Sequence, residues 1–280
     1  MDGIAPAIHV FLFGSLCIQY GDVRLDESSG LTRKAQRLLA YLVTNRDHAV
    51  PQDELGKLWE ESDSVNPAGA VKTLVFRTRN ALDALYEGAG RDLLLAHAGT
   101  LRWNPEIPVW TDCEEFSDLC VRAETEPDTD TRLSLYNQAM KLYFRGEFLS
   151  RHSDCPWVTD RTLALKKQYS RAVRQALLQM EASDRHSEAV QLCRHGLQAN
   201  PYSEGFCAHL MKNLLALGDN PGSVAAYESF SERLFSDHGI LPGEELRELY
   251  RQCFATVTEQ AVSAAEIMDS LEETSTPLDR

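Results

Sequence analysis

The chain has 280 residues, of which 43% are hydrophobic and 25% charged, with 28 Lys and Arg against 42 Asp and Glu for a formal net charge of −14. This length holds two domains with cores of their own, and the composition is that of a globular protein rather than a disordered or fibrous one. No apolar run approaches bilayer-spanning length and no basic segment leads into a greasy one at the N-terminus. The sequence therefore argues against a membrane role, and a cytoplasmic location is expected.

In chain order, HVFLFGSLCIQYGDVRL (9–25) clusters β-formers around Gly14 and the turn Tyr20-Gly21-Asp22, which predicts a small antiparallel sheet. TRKAQRLLAYLVTNRD (32–47) places Ala35, Leu38, Leu39, Leu42 and Val43 at helical spacing, with Arg33, Lys34, Arg37 and Arg46 elsewhere on its surface. PQDELGKLWE (51–60) predicts a short second helix opened by Pro51, with acids in its first turn and Leu55, Leu58 and Trp59 facing inward. A third helix is predicted over 66–85, NPAGAVKTLVFRTRNALDAL, where Asn66 can cap the free N–H groups and Pro67 suits the first helical position.

The third helix carries the functional signal. At about 100° per residue, Val71, Leu74, Val75, Thr78 and Leu82 share one face, while Thr73, Phe76, Arg77 and Asn80 point away, flanked by Lys72 and Arg79. Cations there can neutralise phosphates, Asn and Thr can reach base edges, and a ring can touch a thymine methyl. On its own such a face is more often just solvated. Three helices of this size with a capped, basic third one make a helix-turn-helix unit. LLLAHAGTLRW (93–103) then reads as a hairpin about Ala98-Gly99, the wing, which carries Arg102. Arg33, Lys34, Lys72, Thr73, Phe76, Arg77, Arg79, Asn80 and Arg102 are the candidate DNA contacts.

Net charge is the objection to DNA binding, and its distribution answers part of it. Residues 1–110 hold 11 Lys and Arg against 14 Asp and Glu, and residues 111–280 hold 17 against 28, so the acid lies mostly in the second half. The stretches 31–46 and 66–82 carry four and three cations with no acid. Patches this modest predict salt-sensitive, moderate affinity and a need for dimerisation or tandem sites.

A break is expected near 105–112, where NPEIPVWT carries two prolines, and the predicted division is a winged-helix domain at 1–110, a helical domain at 111–257 and a tail at 258–280. Helices are expected near 113–124 and 131–145. Beyond them, Tyr169, Ala172, Val173, Ala176, Leu177 and Met180 follow helical spacing, and Ala189, Val190, Cys193 and Leu197 do so again before Pro201. A shift of 34 residues maps Leu177, Met180, Val190 and Cys193 onto Met211, Leu214, Val224 and Tyr227, which is the period of a tetratricopeptide repeat, with Ser223 where its small alanine would be. The fold class is thus an α+β winged helix followed by an all-α, tetratricopeptide-like repeat domain. Such stacks offer a groove to a peptide or small molecule, or serve only to orient the winged helix.

The order of sheet, three helices and hairpin resembles OmpR-like winged helices. The segments TDCEEFSDL (111–119), YNQAMKLYFRGEFL (136–149), DCPWV (154–158) and HGILPGEELRELY (238–250) resemble the bacterial transcriptional activator domain. Together they give the layout of the Streptomyces-antibiotic-regulatory-protein family over residues 8–255. That resemblance implies an activator that docks double-stranded DNA at repeated promoter sites and recruits RNA polymerase holoenzyme, and it leaves open a homodimer on tandem repeats. One departure stands out. Where relatives carry a run like R-L-R-R, this chain has Arg77-Thr78-Arg79-Asn80, replacing a core leucine and a phosphate-seeking arginine.

Catalytic and cofactor signals are weak. No G-x-x-x-x-G-K-[ST] loop is present, the seven cysteines form no C-x-x-C pair, and the eight histidines show no metal-ligand spacing, so no enzyme activity, cofactor or metal is expected. His152, Asp154 and Cys155 read as turn residues, with Asp154 capping a helix that begins near Pro156. The tail carries five acids and one arginine over 263–280, which predicts disorder in its last residues, although Ile267, Met268 and Leu271 could dock on a partner. Two rivals to the activator remain: an adaptor with degenerate DNA binding, and a sensor whose helical groove holds an effector.

Overall fold

A computed structural model of the chain describes residues 8–57 and 67–255. Asn66, Leu58, Trp59 and the tail lie outside the described residues. The chain separates into two compact units at 172/173, each treated by itself below.

The first unit opens with strands β1 (Ile8–Phe11), β2 (Cys17–Tyr20) and β3 (Val23–Leu25), a meander with Ile18 and Leu25 buried, closed between β2 and β3 by Gly21 at φ 55°. Helix α1 (Arg33–Thr44) is capped by Thr32, whose hydroxyl accepts from the Ala35 N–H. Strand β4 (Val50–Pro51) leads into α2 (Gln52–Lys57), so Pro51, expected to open the helix, sits instead on a sheet edge where its missing N–H costs nothing. The third helix, α3 (Pro67–Leu82), begins at Pro67. A short α4 (Ala89–Leu93), not legible in advance, joins it to the wing, β5 (Leu94–His97) and β6 (Thr100–Trp103). Ala98 and Gly99 both take positive φ, 46° and 78°, as a two-residue hairpin requires. The wing sheet runs β4-β6-β5.

The segment where a break is expected carries a strand. Strand β7 (Val109–Thr111) lies parallel to β1, pairing Ile8 with Val109 and Val10 with Thr111, so the first sheet runs β3-β2-β1-β7. A three-residue strand whose partner lies a hundred residues away leaves no local periodicity to read. Helices α5 (Asp112–Thr125) and α6 (Thr129–Tyr143) follow, capped by Thr111 and Asp128, and α7 (Pro156–Ala182) begins near the expected proline.

The second unit is helical: the end of α7, α8 (His186–Ala199), α9 (Glu204–Ala216), α10 (Asn220–His238) and α11 (residues 244 to 255). The 34-residue register has a physical basis. Leu177, Cys193 and Met211 are fully buried, and Met180, Val190, Leu214, Val224 and Tyr227 nearly so. Ser223 replaces the repeat's alanine without loss, since its buried hydroxyl donates to the Met211 carbonyl at 3.2 Å. Gly196 is required on α8, because a Cβ there would come within 2.8 Å of the Phe206 ring.

Candidate nucleic-acid interface

α3 presents the expected two faces. Val71, Val75, Thr78 and Leu82 are buried and Leu74 is half-buried, while Lys72, Thr73, Phe76, Arg77 and Asn80 are exposed. The Phe76 side chain is 64% exposed and forgoes much of the roughly 1.5–3 kcal/mol that burial would contribute. A lone exposed ring is ordinary. Its company is informative: two cations, an amide and a hydroxyl share its face, and no acid lies between 67 and 82. The Thr73 hydroxyl donates to the Gly69 carbonyl at 3.0 Å, leaving its lone pairs to accept from outside.

The structure does not gather all the expected contacts on this face. Arg79 is partly buried, its Nη2 donating to the Leu94 carbonyl at 2.6 Å at the base of the wing. Arg33 donates from Nη2 to Asp154 at 2.8 Å and to the Arg151 carbonyl at 3.0 Å. Arg37 pairs with the same Asp154, and Arg46 forms a fork on Glu114 at 2.6 and 2.8 Å. Arg33 and Arg37 of α1 and Arg46 just beyond it are thus engaged with carboxylates of the protein itself, while Lys34 stands exposed on α1. Asp154, expected to cap α7, takes two arginines instead. Arg102 is exposed on β6, and the hairpin tip adds exposed His97, which the sequence did not single out because a lone histidine in a turn carries no pattern.

Thr78 is the structural consequence of the altered run. It is fully buried where the family pattern has leucine, and among the described residues its hydroxyl has no hydrogen-bond partner. α4 packs tightly on α3 just beyond it. A Cβ on Gly90 would lie 2.2 Å from the Arg79 carbonyl oxygen, and the Gly90 N–H donates to Asp83 at 2.9 Å, so only glycine admits this approach.

Among the described residues no group of three His, Cys, Asp or Glu side chains could hold a metal ion, and no helix is long and apolar enough to cross a membrane. Buried thiols are pushed away from the reactive thiolate. Desolvation raises Cys120, Cys193 and Cys207 to about 12.

A profile of the bacterial transcriptional activator domain matches residues 111–253, just over half of the chain. The chain belongs to the bacterial transcriptional activator domain (BTAD) family. A comparison with curated proteins finds no match. Among solved structures, Mycobacterium tuberculosis EmbR in complex with a low affinity phosphopeptide is similar in fold, with a TM-score of 0.66 and 21% identity over 94% of this chain and 71% of that one. The fold is therefore a winged helix followed by the BTAD helices, the layout of the antibiotic-regulatory family.

The BTAD segment begins one residue before a buried junction with the winged helix. Asp112, fully buried at the start of α5, accepts from the N–H groups of Leu12 at 2.7 Å and Phe13 at 3.1 Å. Burial raises its pKa above the ordinary carboxylate value, outweighing those two bonds and the nearby Arg145. Phe13 packs edge-on against Phe116 and Tyr143 of the BTAD, and Gly14 exchanges backbone bonds with Glu147 and Ser150. A Cβ on Gly14 would sit 2.8 Å from the Arg145 carbonyl oxygen. His152, expected to be a turn residue, is 1% exposed between Gln36 (3.1 Å) and Arg37 (3.3 Å) of α1. Burial, then the Arg37 charge, lowers its pKa to about 4. The winged helix and residues 111–172 of the BTAD thus pack as one body. The family match begins at 111, where the helical domain is expected to start, while the compact unit runs on to 172, because the prolines there lead into β7 and α5 rather than into a linker.

Proposed function

We propose that the chain is a sequence-specific DNA-binding activator in which α3 enters the major groove. Lys72 and Arg77 neutralise phosphates, Thr73 and Asn80 address base edges, and Phe76 meets a thymine methyl or sugar edge. Arg102 and Lys34 lie on flanking elements as backbone contacts. The observation that carries this reading is the acid-free outer face of α3, with Phe76 exposed at its centre, on a winged-helix scaffold. The BTAD fold of residues 111–253 supports recruitment of RNA polymerase once the winged helix is docked. Tandem promoter repeats fit the small number of open cations, since two modest sites on one promoter can supply the affinity that one lacks.

The test is binding to the chain's own upstream region. Lys72→Ala with Arg77→Ala should weaken binding to all duplexes and lower the slope of log K against log salt by about 1.8, at roughly 0.9 per phosphate contact. Asn80→Ala should cost roughly 1–3 kcal/mol at one or two base pairs and leave nonspecific binding nearly unchanged. Unchanged mobility shifts in the double variant would remove α3 as the reading helix. A wild-type chain that shifts no duplex would leave the adaptor reading, which the engagement of Arg33, Arg37 and Arg46 in ion pairs favours.

A further inference from the structure

Arg79 lies on the reading helix and belongs by residue type with the phosphate contacts, but its surroundings assign it another task. Within the wing, the Asn104 N–H donates to the Leu93 carbonyl at 2.8 Å, while Leu94 stands opposite Trp103 and Leu95 opposite Arg102. In an antiparallel ladder, hydrogen-bonded and non-hydrogen-bonded pairs alternate. Residues 93 and 104 form a bonded pair, so 94 and 103 form a non-bonded one, and the Leu94 carbonyl points off the strand away from β6. β5 is the edge strand of the order β4-β6-β5, so among the described residues no further strand receives that carbonyl. Arg79 does, at 2.6 Å, with its Nε buried from solvent. The backbone of the same residue forms the floor on which Gly90 of α4 rests. Side chain and main chain of Arg79 therefore both meet the segment that carries the wing.

We propose that Arg79 is a positioning residue that fixes the wing against the reading helix by capping the open edge carbonyl of β5, and that it does not itself neutralise a phosphate. This rests on the DNA-binding reading above and sharpens it. Two elements that must enter adjacent grooves of one duplex need a set angle between them, and a guanidinium on a strand edge sets it without occupying the groove.

The test compares Arg79→Met, which keeps the aliphatic stem, with Arg77→Met and with Arg79→Lys in the full chain. In the free protein, amide exchange over Leu94–Trp103 should rise at least tenfold in Arg79→Met and stay at the wild-type level in Arg77→Met. Arg79→Lys, which keeps a donor, should return it to within about threefold. On a nonspecific duplex at low salt, Arg79→Met should keep the wild-type salt slope while Arg77→Met lowers it by about 0.9. On the operator, Arg79→Met should lose tenfold or more. Unchanged wing exchange in Arg79→Met overturns the proposal, and so does a salt slope lowered as in Arg77→Met. If the wild-type chain binds no duplex with salt-dependent affinity, the DNA-binding reading fails, and the exchange comparison alone still decides whether Arg79 holds the wing.

Discussion

Removing the Asp112 carboxylate should loosen the first unit more than any single apolar truncation on its surface. The side chain is fully buried and supplies the acceptors for the N–H groups of Leu12 and Phe13, at 2.7 and 3.1 Å. A buried N–H deprived of its acceptor costs about 1–3 kcal/mol, so Asp112→Ala should cost about 3 kcal/mol once relief from burying a carboxylate is set against two orphaned donors. Asp112→Asn keeps one acceptor and turns an amide NH2 toward the other donor, so its cost should be smaller, about 1–2 kcal/mol. Tryptophan fluorescence isolates this event, since Trp59, Trp103, Trp110 and Trp157 all precede residue 173 and the second unit has none. Urea titrations followed by fluorescence should show the midpoint falling in the order wild type, Asn, Ala, with faster exchange at the Leu12 and Phe13 amides. A shift below about 1 kcal/mol for Asp112→Ala, with those amides still protected, would refute the reasoning by showing that water or a rearranged loop satisfies them.

Further outcomes follow from the same packing. His152 has a folded pKa of about 4 against an ordinary 6.5, so its contribution is complete above pH 6.5 and is lost as pH falls toward 4, amounting to about 2 kcal/mol at pH 5; Arg33, Arg37, Asp154 and Glu27 face it, and His152→Gln, which keeps a donor for Gln36, should flatten that part of the fluorescence-detected acid profile. Asp112, with a raised pKa, acts with the opposite sign near the carboxylate range, so the two variants should be compared separately. Thr78→Val should stabilise by about 1 kcal/mol, because at nearly constant shape it removes a buried hydroxyl that has no partner among the described residues; a lower urea midpoint would mean that the hydroxyl is satisfied. A fragment ending at residue 110 cuts β7 and strips Phe13 of Phe116 and Tyr143, so it should melt without cooperativity, whereas a fragment ending at Ala182 should keep a cooperative fluorescence transition. Equal melting of the two would place the fold's boundary back at 110.

Local chemistry made the reading helix legible. Pro67 marks its start, and the 3.6-residue spacing of Val71, Val75, Thr78 and Leu82 fixes which side is buried, so the exposure of Lys72, Phe76, Arg77 and Asn80 follows without any knowledge of neighbours. The wing was legible because Ala98-Gly99 sits between two apolar runs. Pairings across long separations were not. Arg33, Arg37 and Arg46 look like a basic surface until Asp154 and Glu114 are brought to them from more than sixty residues away. Arg79 looks like its neighbour Arg77, because nothing in a sequence distinguishes a guanidinium over open solvent from one over a strand edge. His152 and Asp112 escaped for a related reason: their burial is created by the docking of two segments, and neither segment is apolar enough locally to announce it.

The junction constrains how the proposed activator can work. By sequence pattern the BTAD starts at 111, yet by packing residues 111–172 belong with the winged helix, held by a buried carboxylate, a T-shaped ring cluster and the Arg33–Asp154–Arg37 set. A surface ion pair is worth little alone, but here the arginines share one carboxylate beside a buried histidine, and the apolar contacts of Phe13 hold the geometry that makes the pairing repeatable. If α3 lies in a major groove as proposed, the exposed faces of α5 and α6 are carried to the promoter at an angle set by that docking rather than by a linker. Polymerase would then meet a surface whose orientation depends on the DNA site, and shifting the operator by half a helical turn relative to the core promoter should abolish activation even at full occupancy. Activation that survives such a shift unchanged would mean that the contacting surface is flexibly attached, and the rigid junction would then have no part in recruitment.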